Sequence, residues 1–245
     1  MDRSAIVTGA ASGIGRAVAQ ALVDSGAQVL AVDLKPDPAG PGVALAADLT
    51  TREGNRAAVE AAVGTFGGLD TIVANAGFQH IAPVAEFDED RWDAMLALLL
   101  TSPFLLARYG WEALAASGQG RFIAVASAHA LVASPFKAAY VSAKHGVLGL
   151  VKTLALEGAE QGITATAICP GFVRTALLEH QLAAQAEAHG IPESQVLEDV
   201  ILAPHVLKRL IEPEEVAAAV LFLLGPGGGA FTGTPLVMDA GWTAR

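Results

Sequence analysis

Short apolar runs alternate along the chain with longer segments of helical periodicity. Most of the runs are apolar at consecutive positions rather than at every second one, which is typical of parallel strands covered on both faces. Gly26 and Gly162 each follow a helical segment, where a residue in the left-handed conformation ends a helix at little cost. The predicted strands are Ala5–Thr8, Gln28–Val32, Val43–Ala47, Thr71–Ala74, Arg121–Ala126, Thr164–Ile168 and Pro235–Met238, and the predicted helices include Ile14–Asp24, Arg52–Phe66, Ala138–Glu160 and Glu214–Leu224.

This alternation predicts an α/β fold of the Rossmann type, a doubly wound parallel sheet of about seven strands with helices on both faces. We interpret residues 1–245 as a single domain, because no repeat or Pro/Ser-rich linker interrupts the pattern. The segment 176–212 departs from it, being helix-prone and interrupted by Pro192 and Pro204. An insertion beyond the carboxyl end of a strand favours a helical lid over a ligand. The alternative is a helical hairpin that only extends the core.

Composition narrows the class of protein. Hydrophobic residues make up 53% of the chain and charged residues 16%, so much of the surface should be buried in the fold or in subunit contacts. The net charge of −10 argues against nucleic acid as a partner. The single cysteine, Cys169, cannot form an intrachain disulfide, and neither a signal peptide nor a long charge-free apolar run is evident. We therefore expect a cytoplasmic protein with no membrane partner, and we predict no metal site.

A glycine-rich turn follows the first predicted strand and opens the first predicted helix. It reads Thr-Gly-Ala-Ala-Ser-Gly-Ile-Gly over residues 8–15, which is the spacing TGxxxGxG. Glycines at such a turn let the main chain approach a pyrophosphate, whose charge then meets a helix N-terminus. The alternative is an ordinary tight turn, but the position between strand and helix favours a dinucleotide site. The predicted cofactor-binding residues of this turn are Gly9, Ser12, Gly13, Ile14 and Gly15.

Acidic residues after the next two strands complete the predicted dinucleotide site. Asp33 and Leu34, at the end of the second strand, are predicted to bind the cofactor. A carboxylate at this position can accept hydrogen bonds from the adenosine ribose and repels a 2′-phosphate. The glycine turn carries no Arg or Lys to offset that repulsion, so the prediction is NAD rather than NADP. Asp48 and Leu49 follow the third strand and are predicted to meet the adenine. The alternative for Asp48 is an N-cap of the next helix. After the fourth strand, Asn75, Ala76 and Gly77 would let the cofactor pass close by.

A hydroxyl, a phenol and an ammonium group fall within 18 residues of one another, at Ser127, Tyr140 and Lys144. Tyr140 and Lys144 are four residues apart, so on a helix they share a face. An ammonium beside a phenol favours the phenolate, and the expected result is a lowered pKa for Tyr140. Such a phenol would serve as a proton donor and acceptor near neutral pH.

Taken together, these motifs resemble the short-chain dehydrogenase/reductase family over nearly the whole chain. The resemblance rests on the TGxxxGIG turn, Asp33, the Asn-Ala-Gly segment at 75–77, the spacing of Ser127 to the YxxxK pair, and Pro170-Gly171 after the sixth strand. It implies that Ser127, Tyr140 and Lys144 are catalytic, and that Tyr140 and Lys144 also contact NAD. It further implies a homotetramer and a set of cofactor contacts after the sixth strand at Pro170, Gly171, Val173 and Thr175.

Within that family the chain is similar to the D-3-hydroxybutyrate dehydrogenases. The similarity lies in residues 75–80, 126–129 and 133–137 and in the ending Gly-Trp-Thr-Ala-Arg. It implies that NAD takes a hydride from C3 of D-3-hydroxybutyrate while Tyr140 accepts the hydroxyl proton, giving acetoacetate. A lysine, a histidine and two amides would suit the substrate carboxylate. The implied substrate-binding residues are Gln79, Ser127, His129, Lys137, Tyr140 and Gln181.

Local spacing supports two of these residues. His129 lies two positions after Ser127, so in an extended segment both side chains point the same way. Lys137 lies three positions before Tyr140, so the two are neighbours if the helix already includes Lys137. For each residue alone, an exposed side chain without a function is the alternative interpretation.

Leu99 departs from the family pattern, in which an asparagine at this position helps to hold a water that relays protons from the lysine. A leucine side chain cannot hydrogen-bond water. Either the main-chain carbonyl of Leu99 still holds that water, or the relay is broken and catalysis is slowed. Two alternatives to the predicted reaction therefore remain, a dehydrogenase for another small hydroxy acid, alcohol or oxoacyl compound, and a catalytically weak NAD-binding protein.

Overall fold

The computed structural model of the protein describes residues 3–244 and contains one parallel sheet with helices on both faces. The strands follow the order β3-β2-β1-β4-β5-β6-β7. They are β1 (Ser4–Thr8), β2 (Gln28–Asp33), β3 (Val43–Ala46), β4 (Thr71–Ala74), β5 (Arg121–Val125), β6 (Thr164–Pro170) and β7 (Thr234–Met238). The α-helices are α1 (Gly13–Asp24), α2 (Arg52–Phe66), α3 (Glu89–Leu96), α4 (Ser102–Ala116), α5 (Ala138–Gly158), α6 (Ala176–His189), α7 (Glu193–Val196) and α8 (Pro213–Leu224).

The strand order reverses at β1, which pairs with β2 on one side and with β4 on the other. Ala5 is the partner of Val29 in β2 and of Thr71 in β4. A reversal of this kind opens a crevice at the carboxyl ends of the strands, where doubly wound folds bind their ligands. The predicted fold class is confirmed.

Both faces of the sheet are buried, which explains why the strands lack alternation. Ile6 and Ile72 lie in the core between the sheet and helices α2, α4 and α5. Their neighbours Val7 and Val73 point to the opposite face and pack with residues of α1 and α8. Consecutive apolar residues are therefore buried on both faces of these strands.

Predicted and observed element boundaries differ by one or two residues at several ends. β6 continues to Pro170 because its ladder with β7 extends to the pair Pro170 and Met238. α5 ends at Gly158 rather than at residue 160, and a short 3₁₀ turn over Ala159–Gln161 follows it. Gly162, with a φ of 72°, then takes the left-handed conformation that the sequence predicts.

The segment 176–212 forms helices α6 and α7, followed by a π-helical turn over Leu197–Ile201. Leu178, Val196, Ile201 and Leu210 form a small apolar cluster of their own within it. A parallel bridge between Val173 and Ile211 ties its two ends together. The segment thus packs on itself as a helical hairpin. Residues of α6 also line the crevice, as described below.

One helical stretch, Glu89–Ala116, is long and apolar enough to cross a membrane by length and composition alone, a feature that the sequence interpretation did not single out. It comprises α3, a π-helical turn over Ala97–Thr101, and α4. Leu106 and Leu114 of α4 are fully buried in the main core beside Ile72. Packing against the sheet accounts for the apolar character of this stretch.

Candidate active site

A cavity of about 350 Å³ opens at the carboxyl ends of the strands, where the sheet order reverses. Segments distant in sequence contribute to it, from the turn after β1 to the C-terminal residues. Its lining comprises Gly9, Ser12, Gly13, Ile14, Asp33, Asn75, Gly77, Phe78, Gln79, Leu99, Val125, Ala126, Ser127, His129, Lys137, Tyr140, Lys144, Pro170, Gly171, Phe172, Val173, Thr175, Ala176, Leu177, Leu178, Gln181 and Trp242.

The glycine turn is held in place by the segment after β4. The Asn75 side-chain amide donates hydrogen bonds to the main-chain oxygens of Thr8, at 2.9 Å, and Gly9, at 3.4 Å. A Cβ on Gly9 would lie 2.9 Å from Cα of Ala76, and one on Gly15 would lie 2.1 Å from the Gly9 oxygen. Gly15 and Ala76 therefore lie behind the cavity lining and allow the close approach that shapes the turn.

Helix α1 presents a free N-terminus to the cavity. Its N-cap residue, Ser12, makes no side-chain capping hydrogen bond, and no acidic residue lies in the first turn. Gly13, with a φ of 51°, begins the helix. Unpaired main-chain N–H groups at such an end attract an anionic group.

Asp33 faces this turn from the end of β2. Its carboxylate accepts hydrogen bonds from the main-chain N–H groups of Ala11 and Lys35, each at 3.1 Å. It also lines the cavity, whereas the neighbouring Leu34 is 66% exposed and is not part of the lining. The carboxylate thus occupies the position that the sequence assigns to ribose recognition.

Asp48 and Leu49 are not part of the cavity lining. The Asp48 carboxylate accepts hydrogen bonds from the main-chain N–H and the hydroxyl of Thr50, and these bonds hold its pKa below the usual range. The N-cap of α2 is Thr51, whose hydroxyl accepts a hydrogen bond from the Gly54 N–H, so the N-cap alternative for Asp48 is wrong. Leu49 is buried in the core. Contact of these two residues with adenine stays a prediction.

The segment after β6 forms the opposite wall. Pro170, Gly171, Val173 and Thr175 all line the cavity. A Cβ on Gly13 would lie 3.1 Å from a methyl carbon of Thr175, which shows how closely this segment faces the glycine turn. The predicted cofactor residues after β6 are therefore brought to the same cavity as the turn.

Ser127, Tyr140 and Lys144 come together at the inner end of the cavity. Ser127 follows β5, and its hydroxyl accepts a hydrogen bond from the His129 N–H at 3.1 Å. Tyr140 and Lys144 lie one turn apart on α5, with the Lys144 ammonium 5.5 Å from the centre of the phenol ring. That ammonium donates a 2.8 Å hydrogen bond to the Val125 oxygen.

The expected lowering of the Tyr140 pKa does not occur in the protein on its own. Burial raises the pKa of Tyr140 to about 12, against the smaller opposite effect of its interaction with Ser127. Burial also lowers the pKa of Lys144 to about 8. The attraction of a neighbouring ammonium would lower the pKa of the phenol, but removal of both groups from water is the larger effect.

His129 and Lys137 reach the same cavity by geometries that differ from those expected. His129 lies in a 3₁₀ turn over Ala128–Ala130 rather than in an extended segment, and its Nδ1 is 3.3 Å from the Ser127 hydroxyl. Lys137 is the N-cap of α5 and not a residue of the helix. Each side chain is only 3% exposed, so the interpretation of either as an exposed residue is wrong.

The charge states of these two residues differ. Burial, with a smaller contribution from Lys137, lowers the pKa of His129 to about 3, so the imidazole is neutral at physiological pH. Its Nε2 lies 3.0 Å from the Ser134 hydroxyl. Burial lowers the pKa of Lys137 to about 8, which leaves the ammonium mostly charged at neutral pH.

The two glutamines line the cavity from different elements. Gln79 lies after β4, and its side-chain oxygen is buried without a hydrogen-bond partner. Gln181 lies on α6, where its amide donates to the Leu177 oxygen at 2.9 Å. A buried amide oxygen without a partner is costly, and a ligand donor in the cavity would satisfy it.

Three aromatic residues of the lining, Phe78, Phe172 and Trp242, were assigned no role from the sequence. Phe172 and Trp242 are stacked, with ring centres 5.5 Å apart, and the Trp242 ring lies 4.9 Å from the His129 ring. The Asp239 carboxylate accepts hydrogen bonds from the N–H groups of Gly241 and Thr243 and so fixes the turn that carries Trp242. The sequence held one signal for a role of Phe172 and Trp242. Phe172 directly follows Pro170-Gly171 and Trp242 lies in the C-terminal motif, in a chain with only 6% aromatic residues.

Leu99 lies in the π-helical turn over Ala97–Thr101 and also lines the cavity. It is 2% exposed and packs in an apolar cluster with Ala139 and Ala143 of α5. A Cβ on Gly77 would lie 2.7 Å from one of its methyl groups. The side chain therefore fills apolar space between the Asn-Ala-Gly segment and the helix that carries Tyr140.

The residues present fit a nicotinamide dinucleotide. The free N-terminus of α1 suits a pyrophosphate, Asp33 suits a ribose, and the cavity continues from there to Tyr140 and Lys144. Within residues 3–244 there is no group of three or more His, Cys, Asp or Glu side chains that could hold a metal ion.

The chain is similar to known proteins over its full length. A family model described as enoyl-(acyl carrier protein) reductase matches residues 9–243. The D-beta-hydroxybutyrate dehydrogenase of Rhizobium meliloti is 40% identical, with both chains covered completely. The protein of the same name from Cupriavidus necator is 38% identical, over 99% of this chain and 98% of that one.

More distant relatives bear names with other substrates. The D-threitol dehydrogenase of Mycolicibacterium smegmatis is 33% identical over 98% of this chain and 93% of its own. Among solved structures, ligand-free aldohexose dehydrogenase from Thermoplasma acidophilum superposes with a TM-score of 0.91 at 27% identity, covering 100% of this chain and 95% of that one. Dehydrogenases of this kind use nicotinamide cofactors. The chain belongs to the short-chain dehydrogenase/reductase family of oxidoreductases.

Proposed function

We propose that the protein catalyses the reversible, NAD-dependent oxidation of D-3-hydroxybutyrate to acetoacetate. The observation that carries this proposal is the position of Lys137, a buried ammonium that lines the same cavity as Ser127 and Tyr140. None of the three ion pairs within residues 3–244 includes it. A buried cation without an acidic partner favours an anionic ligand, and a carboxylate beside the reacting hydroxyl is the simplest one.

The surroundings of Lys137 support a small carboxylate. Neutral His129 and the amides of Gln79 and Gln181 line the cavity with it and can hydrogen-bond carboxylate oxygens. Phe172 and Trp242 offer an apolar surface on the same side. The names of the relatives at 40% and 38% identity agree with such a substrate.

Asp33 supports NAD as the cofactor. Its carboxylate lies at the glycine turn and already accepts two main-chain hydrogen bonds, which keep it in place. A ribose with two free hydroxyls can donate to it, whereas a 2′-phosphate would be repelled.

A bound NAD supplies the hydride acceptor. Ser127 holds the reacting oxygen of the substrate by a hydrogen bond, and Tyr140 accepts the hydroxyl proton in oxidation or returns it in reduction. Lys144 lies one helical turn from Tyr140 and would hold the ribose of the bound cofactor. The protein contributes the position of the substrate and the protonation state of the phenol.

We propose that α6 acts as a lid over the bound substrate. Leu177, Leu178 and Gln181 line the cavity from this helix. The bridge between Val173 and Ile211 anchors both ends of the insertion, so the helices between them can move as a unit.

We also propose a homotetramer. Phe104 on α4 and Leu156 on α5 are 44% and 82% exposed, and an apolar side chain on the outer helices suits a subunit contact. Light scattering during size-exclusion chromatography tests the number of subunits.

Steady-state NADH formation with D- and L-3-hydroxybutyrate, each with NAD and NADP, tests the proposed reaction. We expect activity with the D-acid and NAD. Activity only with uncharged alcohols such as D-threitol would instead assign a different substrate, and tight NAD binding without oxidation of any 3-hydroxy acid would favour a catalytically weak protein. Either result overturns the proposal.

A further inference from the structure

A second group of cations, one buried and one half-buried, lies at the opposite edge of the sheet from the candidate active site. Arg3 precedes β1 and Arg121 begins β5, so both lie at the amino ends of the strands. Their guanidinium groups donate to the same main-chain oxygen, that of Gln119, at 3.0 Å and 3.2 Å. The two nitrogens are therefore within about 6 Å of each other, a short distance for groups of like charge.

These charges are only partly balanced by an acidic group, Asp70, whose attraction raises the pKa of Arg3 against the larger effect of burial. The ion pairs found in the described part of the chain include neither arginine. The Asp70 carboxylate also accepts hydrogen bonds from Ser4 and, at 3.3 Å, from Gln119, so one negative charge stands against two guanidinium groups. Burial lowers the pKa of Arg121, and repulsion by Arg3 lowers it further.

The two side chains retain donors for a ligand. Arg3 is 8% exposed and makes one hydrogen bond, to Gln119. The Nε of Arg121 is buried and has no partner, although a guanidinium carries five N–H groups. Each guanidinium group is therefore oriented by its hydrogen bond to the Gln119 oxygen and still has N–H groups free for a ligand.

An open cavity of about 400 Å³ lies beside these donors. Gln119 lines it together with both arginines, and the loop after α8 forms its other wall. Leu224, Gly225, Pro226 and Gly229 are the loop residues of the lining. The volume is sufficient for a small molecule.

We propose that Arg3 and Arg121 form a binding site for a tetrahedral oxyanion, inorganic phosphate or the phosphate group of a small metabolite. A phosphate presents oxygens to two guanidinium groups at once, whereas one carboxylate is matched by a single arginine. Its charge would remove the repulsion between the two cations. The site is independent of the active-site cavity, with which it shares no lining residue.

Calorimetric titration with inorganic phosphate tests this site, at an ionic strength kept constant with chloride. The protein is first saturated with NAD, so that phosphate does not occupy the glycine turn. The variants are Arg3→Gln and Arg121→Gln, and the matched control is Arg91→Gln, which removes the same charge from the exposed face of α3. Arg121→Lys keeps the charge but loses the paired donors. Phosphoserine used in place of phosphate tests a phosphate monoester, with serine as the control.

We expect one phosphate per chain in the natural protein and in the Arg91 variant. Binding should be weaker by about tenfold or more in both glutamine variants, and weakened in Arg121→Lys. Equal affinity in all the proteins, or heat that follows ionic strength alone, would overturn the proposal. If a glutamine variant fails to fold, the phosphate affinity of Arg121→Lys is compared with that of Arg91→Gln, and weaker binding in Arg121→Lys supports the site. The readout is binding and does not depend on the proposed reaction.

Discussion

The ammonium of Lys137 lies 4.8 Å from the centre of the Phe172 ring. The ring face offers partial compensation for a buried cation. It does not replace a full negative charge, and burial still lowers the pKa of Lys137 to about 8. The folded protein therefore holds a cation at a free-energy cost that a carboxylate substrate would offset.

Replacement of Lys137 by methionine should separate binding from stability. The KM for 3-hydroxybutyrate should rise by about 100-fold, because the main charge opposite its carboxylate is lost. The melting temperature should rise by a few degrees, since an apolar chain of similar shape replaces a buried cation. Kinetics and thermal unfolding of the same preparation measure both effects.

Lys152 provides the control for this substitution. It lies on α5 as well but is exposed, so Lys152→Met should change neither the KM nor the melting temperature appreciably. An unchanged KM in Lys137→Met would show that the substrate carboxylate is bound elsewhere.

Replacement of Tyr140 by phenylalanine should lower turnover by about 10²-fold or more, because the group that exchanges a proton with the substrate is lost. NAD affinity should change little, since the ring still fills its place. The chain has two tyrosines, and the other, Tyr109, stacks with Arg56 away from the cavity. Tyr109→Phe is thus the matched control, and turnover close to normal in Tyr140→Phe would exclude the phenol as the acid/base.

The fold could be predicted from sequence because its signals are local. Consecutive apolar residues such as Ile6 and Val7 are both buried, on opposite faces, and that pattern is visible without any knowledge of the partners. The glycine turn and the Tyr140–Lys144 pair are local in the same sense.

The features of the site that the sequence does not predict depend on contacts between distant segments. Stacking of Phe172 on Trp242 joins residues 70 positions apart, and no periodicity encodes such a pair. The N-cap of α2 is Thr51 rather than Asp48, because the helix begins a few residues later than Asp48 would require. The raised pKa of Tyr140 follows from burial, which spacing on a helix does not reveal.

The two directions of the reaction should differ in their pH dependence. With the pKa of Tyr140 raised to about 12, the phenol is protonated at neutral pH and ready to donate in reduction. Turnover in oxidation, which needs a proton acceptor, should therefore rise with pH, and turnover in reduction should fall. Initial rates in both directions between pH 6 and 10 measure this.

Substrate affinity should vary with pH in its own way. Above a pH of about 8, Lys137 loses its proton, so the KM for the carboxylate substrate should rise while turnover in oxidation still increases. The arginine of the Lys137→Arg variant keeps its charge over this range. The KM of that variant for the carboxylate substrate should therefore be independent of pH. A KM with the same pH dependence in both proteins would mean that another group titrates.

The pKa values of the buried lysines also predict a trend in stability. Lys137 and Lys144 have folded-state pKa values of about 8 against an ordinary value of 10.5, so the unfolded chain binds more protons between these limits. The contribution of these two groups to the free energy of unfolding should therefore rise with pH across that window. The rise should be smaller in Lys137→Met, because Lys144 alone then titrates over the same window, as measured by urea unfolding at several pH values.

Replacement of Asp33 by alanine should weaken discrimination between the two cofactors. The KM for NAD should rise by about tenfold, since the ribose hydroxyls lose their acceptor, and the KM for NADP should fall as repulsion is removed. Asp37, which forms an exposed ion pair with Arg16 outside the cavity lining, provides the control as Asp37→Ala. An unchanged ratio of the two KM values in Asp33→Ala would place ribose recognition elsewhere.

Replacement of Leu99 by asparagine tests whether a polar side chain is needed at this position. Leu99 is packed against Ala139 and Ala143 in the π-helical turn, a type of turn found often at functional sites. We expect turnover within about twofold of normal, with the main-chain carbonyl of Leu99 holding the relay water. The melting temperature should fall by several degrees, because a buried amide replaces an apolar side chain.

Leu99→Ala, which loses packing without adding a polar group, separates the effect of lost packing from the effect of the buried amide. A clear gain in turnover for Leu99→Asn over both the natural protein and Leu99→Ala would show that the leucine slows proton transfer.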